Sequence, residues 1–449
     1  MHNAGTGGDW HLEAKQMASI YKNAVLAIAV VDHTSLSEAS EKSTFLSKEE
    51  ELTTSSLVSE DSTPESVHLW LSKSGNFVSR PLGDLDERGW VFQEQLLLGR
   101  TISLTKDGVF WDCLHHSASS SRPTGILGDF SPDFQFSDMR EFKRFLLSPE
   151  PSFSKEQYYW LWRRAVQSYT KRILTKESDR LIALEGITSH MATLLDDNCV
   201  LGIWKKDTMR SLMWFVQPWT KGRTIGSGIK GPSWSWISIE GPVQYRLWHP
   251  YGQEVDIKHE RISTKALVMK LSATPESPRR FDRFTGEIAL LAPLAKAYLF
   301  RGVVYLVRRW RSEDFFEGKK NMGEWLDAFE IREDTGERRS YYSTKGLLDV
   351  PWLAIAITRW NSYSRTADPK ENRVSCLLLF EGGYTDILTA HYCLILEKFA
   401  HPDGGAFYRR IGICALNTRD ICVSSNKICR NQHKSYSDCM GRVEEVRIL

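Results

Sequence analysis

The chain has 449 residues, 41% of them hydrophobic and 25% charged, with a formal net charge of +2. This is the composition of a soluble globular protein with room for two or three domains, and its core is large enough to need no disulfide or metal staple. So balanced a charge argues against a nucleic-acid or membrane-surface protein, which carries a concentrated basic field.

No run approaches the ~18 apolar residues of a membrane span. Met1 to Gly5 lacks a basic stretch leading into an apolar one. The eight cysteines include no CxxC pair, so a cytoplasmic protein with reduced thiols is expected.

Asp9 reads as the N-cap of a helix from about Trp10 to Asn23, with Trp10, Ala14, Met17 and Tyr21 on one face. Ala24 to Val31 reads as a short, fully buried strand, which makes the pair the end of an α/β unit. The Ser-, Thr- and Glu-rich stretch of about 34–66 reads as a disordered insertion. Asp84 or Asp86 caps a helix running through Trp90 and Glu94 to Leu98. Thr101 to Leu104 and Val109 to Trp111 are strands of a hairpin turned at Lys106-Asp107-Gly108.

A loose stretch follows from His115 to Asp138. Glu141 to Leu161 is mostly helical and broken at Pro149 and Pro151, and Trp162, Val166 and Tyr169 share a helical face. Asp179 to His190 is a further helix. After Pro232 short strands dominate: Ile288 to Leu291, Val303 to Val307, Leu353 to Ile357, Cys376 to Phe380, Tyr392 to Leu396 and Ile411 to Leu416. The expected organisation is an α/β segment over 1–115, a helical middle over 139–220 and a β-rich region over 221–449, α+β overall.

Three groups of residues resemble one family. Asp9-Trp10 with Glu13, Met17, Ile20-Tyr21 and Asn23-Ala24 is the first. Arg88-Gly89-Trp90-Val91-Phe92-Gln93-Glu94 with Arg100-Thr101 and Phe110-Trp111-Asp112-Cys113 is the second. The third runs from Trp162, Tyr169, Arg172 and Ser178-Asp179-Arg180-Leu181 to Gly202-Ile203-Trp204 and Pro232-Ser233-Trp234-Ser235-Trp236. The first two resemble the later blocks of the heterokaryon-incompatibility (HET) domain of fungi, and the third resembles the region that commonly follows it. The family's opening Leu-Ser-Tyr-x-Trp-Gly and Trp-Ile-Asp-x-Leu-Cys-Ile blocks are not found, so a partial HET domain is expected, truncated at its front.

The resemblance implies a TIR-like α/β fold and a role in non-self recognition and programmed cell death. Its motif residues here are Asp9, Trp10, Tyr21, Arg88, Gly89, Trp90, Gln93, Glu94, Trp111 and Cys113. In open α/β sheets ligands sit at strand ends near a topological switch, so loss of the first strands is expected to remove the pocket. A non-catalytic or decayed interaction module that binds another protein is therefore expected, with no cofactor and no metal. The alternative is a TIR-like NAD-cleaving enzyme, with NAD bound only if the domain is complete.

Glu94 is the candidate catalytic residue. It lies on the largely apolar face of Trp90 and Leu97, where a carboxylate needs a partner or a raised pKa. One reading has it contact a ribose or stabilise a developing cation. The favoured reading is a structural ion pair with Arg88 or Arg100. The tryptophans at 90, 111, 162, 204, 214, 234 and 236 read as core or interface residues rather than stacking platforms. Ser233 to Ile237 alternates as a strand with both tryptophans facing in.

Gly226-Ser227-Gly228-Ile229-Lys230-Gly231 has dinucleotide-loop spacing, but a strand-like run follows it instead of a helix, so it reads as a loop. Cys422, Cys429, His433 and Cys439 lack zinc-knuckle spacing. The His115-His116 pair beside Cys113 reads as the start of a loop, not a catalytic pair.

Overall fold

The computed structural model describes residues 8–32, 80, 82–105, 108–120, 122–125, 136–149, 153–216, 231–239, 241–245, 247–248, 254–255, 261–277, 280–300, 303–306, 373–385, 388–402, 404–417 and 442–449. The fold is mixed α and β. The expected insertion at 34–66, the strand at Leu353 to Ile357, the loop at 226–230 and the Cys422 to Cys439 group lie outside the described residues.

Helix α1 spans Gly8–Asn23 and strand β1 spans Ala27–Val30. A 3-10 turn, Asp84–Glu87, leads into α2, Gly89–Leu97, and then β2, Arg100–Thr105. β1 and β2 pair in parallel, Ala27 opposite Thr101 and Val30 opposite Leu104. A parallel pair requires a crossover, and this one carries α2, so the segment is a βαβ unit. β3, Gly108–Cys113, returns antiparallel to β2 as the Asp-Gly turn predicts, and β4, Ser117–Ser119, adds to it.

Three local expectations are corrected here. The described helix α1 includes Asp9, so Asp9 stands inside it rather than capping it. The expected strand from Ala24 to Val31 is shortened to β1 and is not fully buried: Val25 ahead of it is 78% and Ile28 within it 64% exposed, and β1 is the edge of this sheet among the described residues. The stretch after His115 is not wholly loose, since Ser117 to Ser119 are buried in β4.

The helical middle is built on α4. α3 spans Phe136–Leu147 and α4 spans Lys155–Tyr169. Ser154 starts α4 with a reciprocal capping box. Its hydroxyl accepts from the Gln157 N–H, and the Gln157 side chain accepts from the Ser154 N–H at 2.8 Å. Leu161, Trp162, Ala165, Val166 and Tyr169 then recur at helical spacing and are all buried. The expected Asp179 helix is instead two 3-10 turns, Glu177–Arg180 and Ile182–Leu184, followed by α5, Glu185–Leu195. Asp179 and Tyr169 explain this start: the Asp179 carboxylate is taken by Trp90, and the Tyr169 hydroxyl binds the Arg180 carbonyl, which removes it from a helical ladder.

Two short strands, β5 (Cys199–Val200) and β6 (Ile203–Trp204), form a tight hairpin ahead of α6 (Thr208–Ser211). β7, Phe215–Val216, pairs with β8, Val243–Gln244. Between them, Ser233 to Ile237 is not a strand. Ser235 caps a 3-10 turn, Trp236–Ser238, by accepting from the Ile237 N–H, and it donates to the Leu201 carbonyl. Both tryptophans are nevertheless fully buried. β9, Leu247–Trp248, and β10, Glu254–Val255, form a small ladder.

The remaining strands are β11 (Arg261–Thr264), β12 (Leu267–Ser277), β13 (Arg280–Phe300), β14 (Val303–Leu306), β15 (Arg373–Thr385), β16 (Leu388–Ala400), β17 (Ala406–Asn417) and β18 (Val443–Ile448). Their pairings form a circuit, β13 to β15, β16, β17, β18 and back to β13. These five strands thus close into a barrel, and Leu377, Leu379, Leu394, Leu396 and Ile288 on them are fully buried. One continuous apolar core runs from Phe92 of α2 through α4 and α5 to Ile448 of β18. No helix among the described residues is long and apolar enough to cross a membrane.

Candidate functional site

The motif around Glu94 sits where α2 meets the helical middle. Gly89 opens α2 with its N–H bonded to the Ile173 carbonyl at 2.8 Å, beside an Arg88–Ile173 bridge. A Cβ at Gly89 would lie 2.4 Å from Leu174 Cδ2, so only glycine allows this approach. Trp90 donates its indole N–H to Asp179 at 3.2 Å. Gln93 is fully buried, and its side-chain oxygen accepts from the Gly186 N–H at 2.8 Å. Gly186 in turn leaves room for Ala18 of α1, which a Cβ would meet at 2.4 Å.

Glu94 faces α1. The Tyr21 hydroxyl donates to its carboxylate, and Arg88 and Arg172 place positive charge beside it. Burial raises the Glu94 pKa above the usual carboxylate range, and the phenol and the two guanidiniums only partly offset this. Burial, followed by the Glu94 charge, pushes the Tyr21 phenol up to about 12. The charges around Glu94 are Arg88, as one structural reading expected, and Arg172, while Arg100 is exposed.

Arg172 is a hub. It donates to Gln95 at 2.9 Å, reaches the Arg88 carbonyl at 3.4 Å and lies 4.8 Å over the Phe92 ring. Burial lowers its pKa to about 10. Gln95 extends the network to Asp86 at 2.6 Å, and Arg80 grips the Asp86 carboxylate with both terminal nitrogens at 2.6 and 2.9 Å. Burial pushes the Asp86 carboxyl up, but the Arg80 bonds and charge, the Gly83 N–H and Gln95 outweigh it, so the group stays below its ordinary value.

Tyr21, Arg88, Gly89, Trp90, Gln93 and Glu94 are therefore brought together at one joint. Asp9 and Trp10 lie in α1, but their side chains are outside the described residues. Trp111 and Cys113 lie elsewhere, on β3, where Trp111 is half-buried opposite Ala118. Their neighbour Asp112 accepts from Lys143 of α3 and from Ser117, each at 2.7 Å, which ties the hairpin to the helical middle. Of the seven tryptophans, 162, 204, 214, 234 and 236 are buried core, and 90 and 111 are half-buried.

Sequence reasoning missed the Arg80–Asp86 pair, the Asp112–Lys143 pair and the buried Arg163–Asp207 pair. For Asp86 and Asp207 the local signal was an acidic residue flanking a helix. The partner's identity depends on contacts up to 44 residues away for Arg163 and Asp207. Burial raises the Asp207 carboxyl despite Arg163 and Arg210. That pair therefore orients α4 against α6 more than it stabilises.

Around Glu94 the chemistry is that of a carboxyl which keeps its proton longer than a solvated glutamate and which, once ionised, accepts from the Tyr21 phenol. The same contacts hold α1 to α2. Neither a curated protein nor a solved structure matches the chain. Residues 3–94 match the family model described as Heterokaryon incompatibility protein (HET), a span that takes in Asp9, Trp10, Tyr21 and Arg88 to Glu94 and stops short of Trp111 and Cys113. The motif that builds the joint is the motif that closes the matched segment, so the similarity to the HET family lies in residues 3–94.

Proposed function

We propose that this HET-domain protein acts in fungal non-self recognition and programmed cell death as a cytoplasmic, non-catalytic interaction module whose partner is another protein. The observation that carries this reading is the direction of the motif side chains. The Trp90 and Gln93 side chains contact the helical middle, and Glu94 contacts α1. Trp90 and Gln93 hold the HET segment to the rest of the chain, and Glu94 holds the segment to itself. Glu94 then acts as a positioning residue, linking α1 to α2 through Tyr21.

A second reading has its own support. A half-buried carboxyl with a raised pKa, a phenol and two guanidiniums is a setting suited to proton exchange. In that reading the segment is TIR-like and cleaves NAD, with Glu94 catalytic. Incubating the full chain with NAD and following nicotinamide release separates the two. No release above a buffer control is expected. Release that Glu94→Gln abolishes, with the variant's thermal unfolding unchanged, would overturn the non-catalytic reading.

A further inference from the structure

A groove of about 260 Å³ lies between the β6–α6 corner and the start of β12, away from the HET segment. Three of its lining residues are cationic, Lys205, Lys206 and Arg210, and one is anionic, Asp207. Asp207 is already ion-paired with Arg163 and lies 3.6 Å from Arg210, so it does not cancel the lysines. Lys206 pairs with Asp196, whose side chain is 95% exposed, a contact that water and salt weaken. Lys265, next along the opposite wall, is closed by Glu381 at 3.0 Å. The Nε of Arg210 is buried and has no hydrogen-bond partner, and a buried donor without an acceptor is costly.

The rest of the lining is apolar. Met209, Ala266 and Phe380 form the floor, and Leu267 stands at the mouth 59% exposed. The cationic wall is rigid before anything binds. The N–H groups of Lys205, Lys206 and Asp207 are bonded to Asn198, Asp197 and Trp204 at 3.0, 3.0 and 3.2 Å. Tyr159 fixes the Asp197 carboxylate at 2.8 Å. Asp196 and Leu201 hold left-handed backbone at φ 50 and 49, which turns the chain back to present the lysines. The facing wall is pinned by the Lys265 and Ala266 N–H groups, both on the Leu379 carbonyl.

We infer that this groove binds a small amphipathic oxyanion, an apolar or aromatic body carrying one phosphate or carboxylate group. The oxyanion meets Lys205 and the exposed part of the Arg210 guanidinium, while the body covers Leu267 and Met209. The volume lies just under the range for drug-sized ligands, which limits the body to about one ring. This inference is independent of the HET-segment reading.

Calorimetric titration of the full chain with phenyl phosphate tests it, with inorganic phosphate and phenol as the two halves of the probe. Saturable binding of phenyl phosphate with Kd below about 1 mM is expected, at least about tenfold tighter than either half. Lys205→Glu, at an exposed position, should weaken it about tenfold or more, and Lys398→Glu on β16 should not. Absence of saturation, equal binding by Lys205→Glu, or inorganic phosphate binding as tightly as phenyl phosphate would each overturn the inference.

Discussion

The two main sheets handle their edges in opposite ways. The strands β13, β15, β16, β17 and β18 close on one another, and their inward residues are shielded completely. Among the described residues the β1–β4 sheet is open, and Val25, Leu26 and Ile28 around its β1 edge are exposed. A closed sheet satisfies its own backbone, whereas an open one relies on cover from elsewhere. In this chain the cover comes from helices. α2 buries Phe92, Leu96 and Leu97 in the core that α3, α4 and α5 supply. The HET segment thus owes its order to the helical middle more than to its own strands.

The comparison can be broken most severely by removing that cover. A fragment of residues 1–115 lacks α3, α4 and α5 and is expected to be aggregation-prone and to unfold without cooperativity in urea. A monodisperse fragment with a sharp transition would show that the open sheet stands alone. Next in size is Gly186→Val, which drives a side chain into Ala18 and Gln93. Overpacking of this kind costs about 1–3 kcal/mol. Hydrogen exchange should then quicken in α1 and α2 and stay slow in β15 and β16. Uniform acceleration would mean that the two regions unfold as one unit.

Two carboxylates on the same segment should respond to pH with opposite signs. The Glu94 pKa is raised in the folded state, so its contribution is present at low pH and is lost as pH rises through the folded value. The stability advantage of the native chain over Glu94→Gln should therefore shrink from acid to neutral pH. The Asp86 pKa is lowered, so its contribution is present at neutral pH and lost as pH falls. The advantage over Asp86→Asn should grow from acid to neutral pH. Urea midpoints at several pH values read both signs, and parallel trends would refute the assignment of partners. The smallest effect is at the open edge. Ile28→Ser changes a residue already 64% exposed and should shift stability by less than about 0.5 kcal/mol. A larger loss in a denaturant midpoint would mean that something covers β1 in solution.

Amino-acid order alone determined the elements whose causes are local. The Asp-Gly turn sets the β2–β3 hairpin, and the spacing of Trp162, Val166 and Tyr169 marks the buried face of a helix. The motif from Arg88 to Glu94 carried the family, because short-range blocks survive without knowledge of the fold. Tertiary structure decided what those blocks touch. Gly186 is 93 residues from Gln93, and Arg172 lies 77 residues from Gln95, separations at which no periodicity speaks. Alternation at Ser233 to Ile237 suggested a strand, yet side-chain bonds from Ser235 to Leu201 and Ile237 made a turn. Closure of the barrel was equally silent in the sequence. A strand pattern records which faces are buried, whereas the partner of each edge depends on chain segments brought together only on folding.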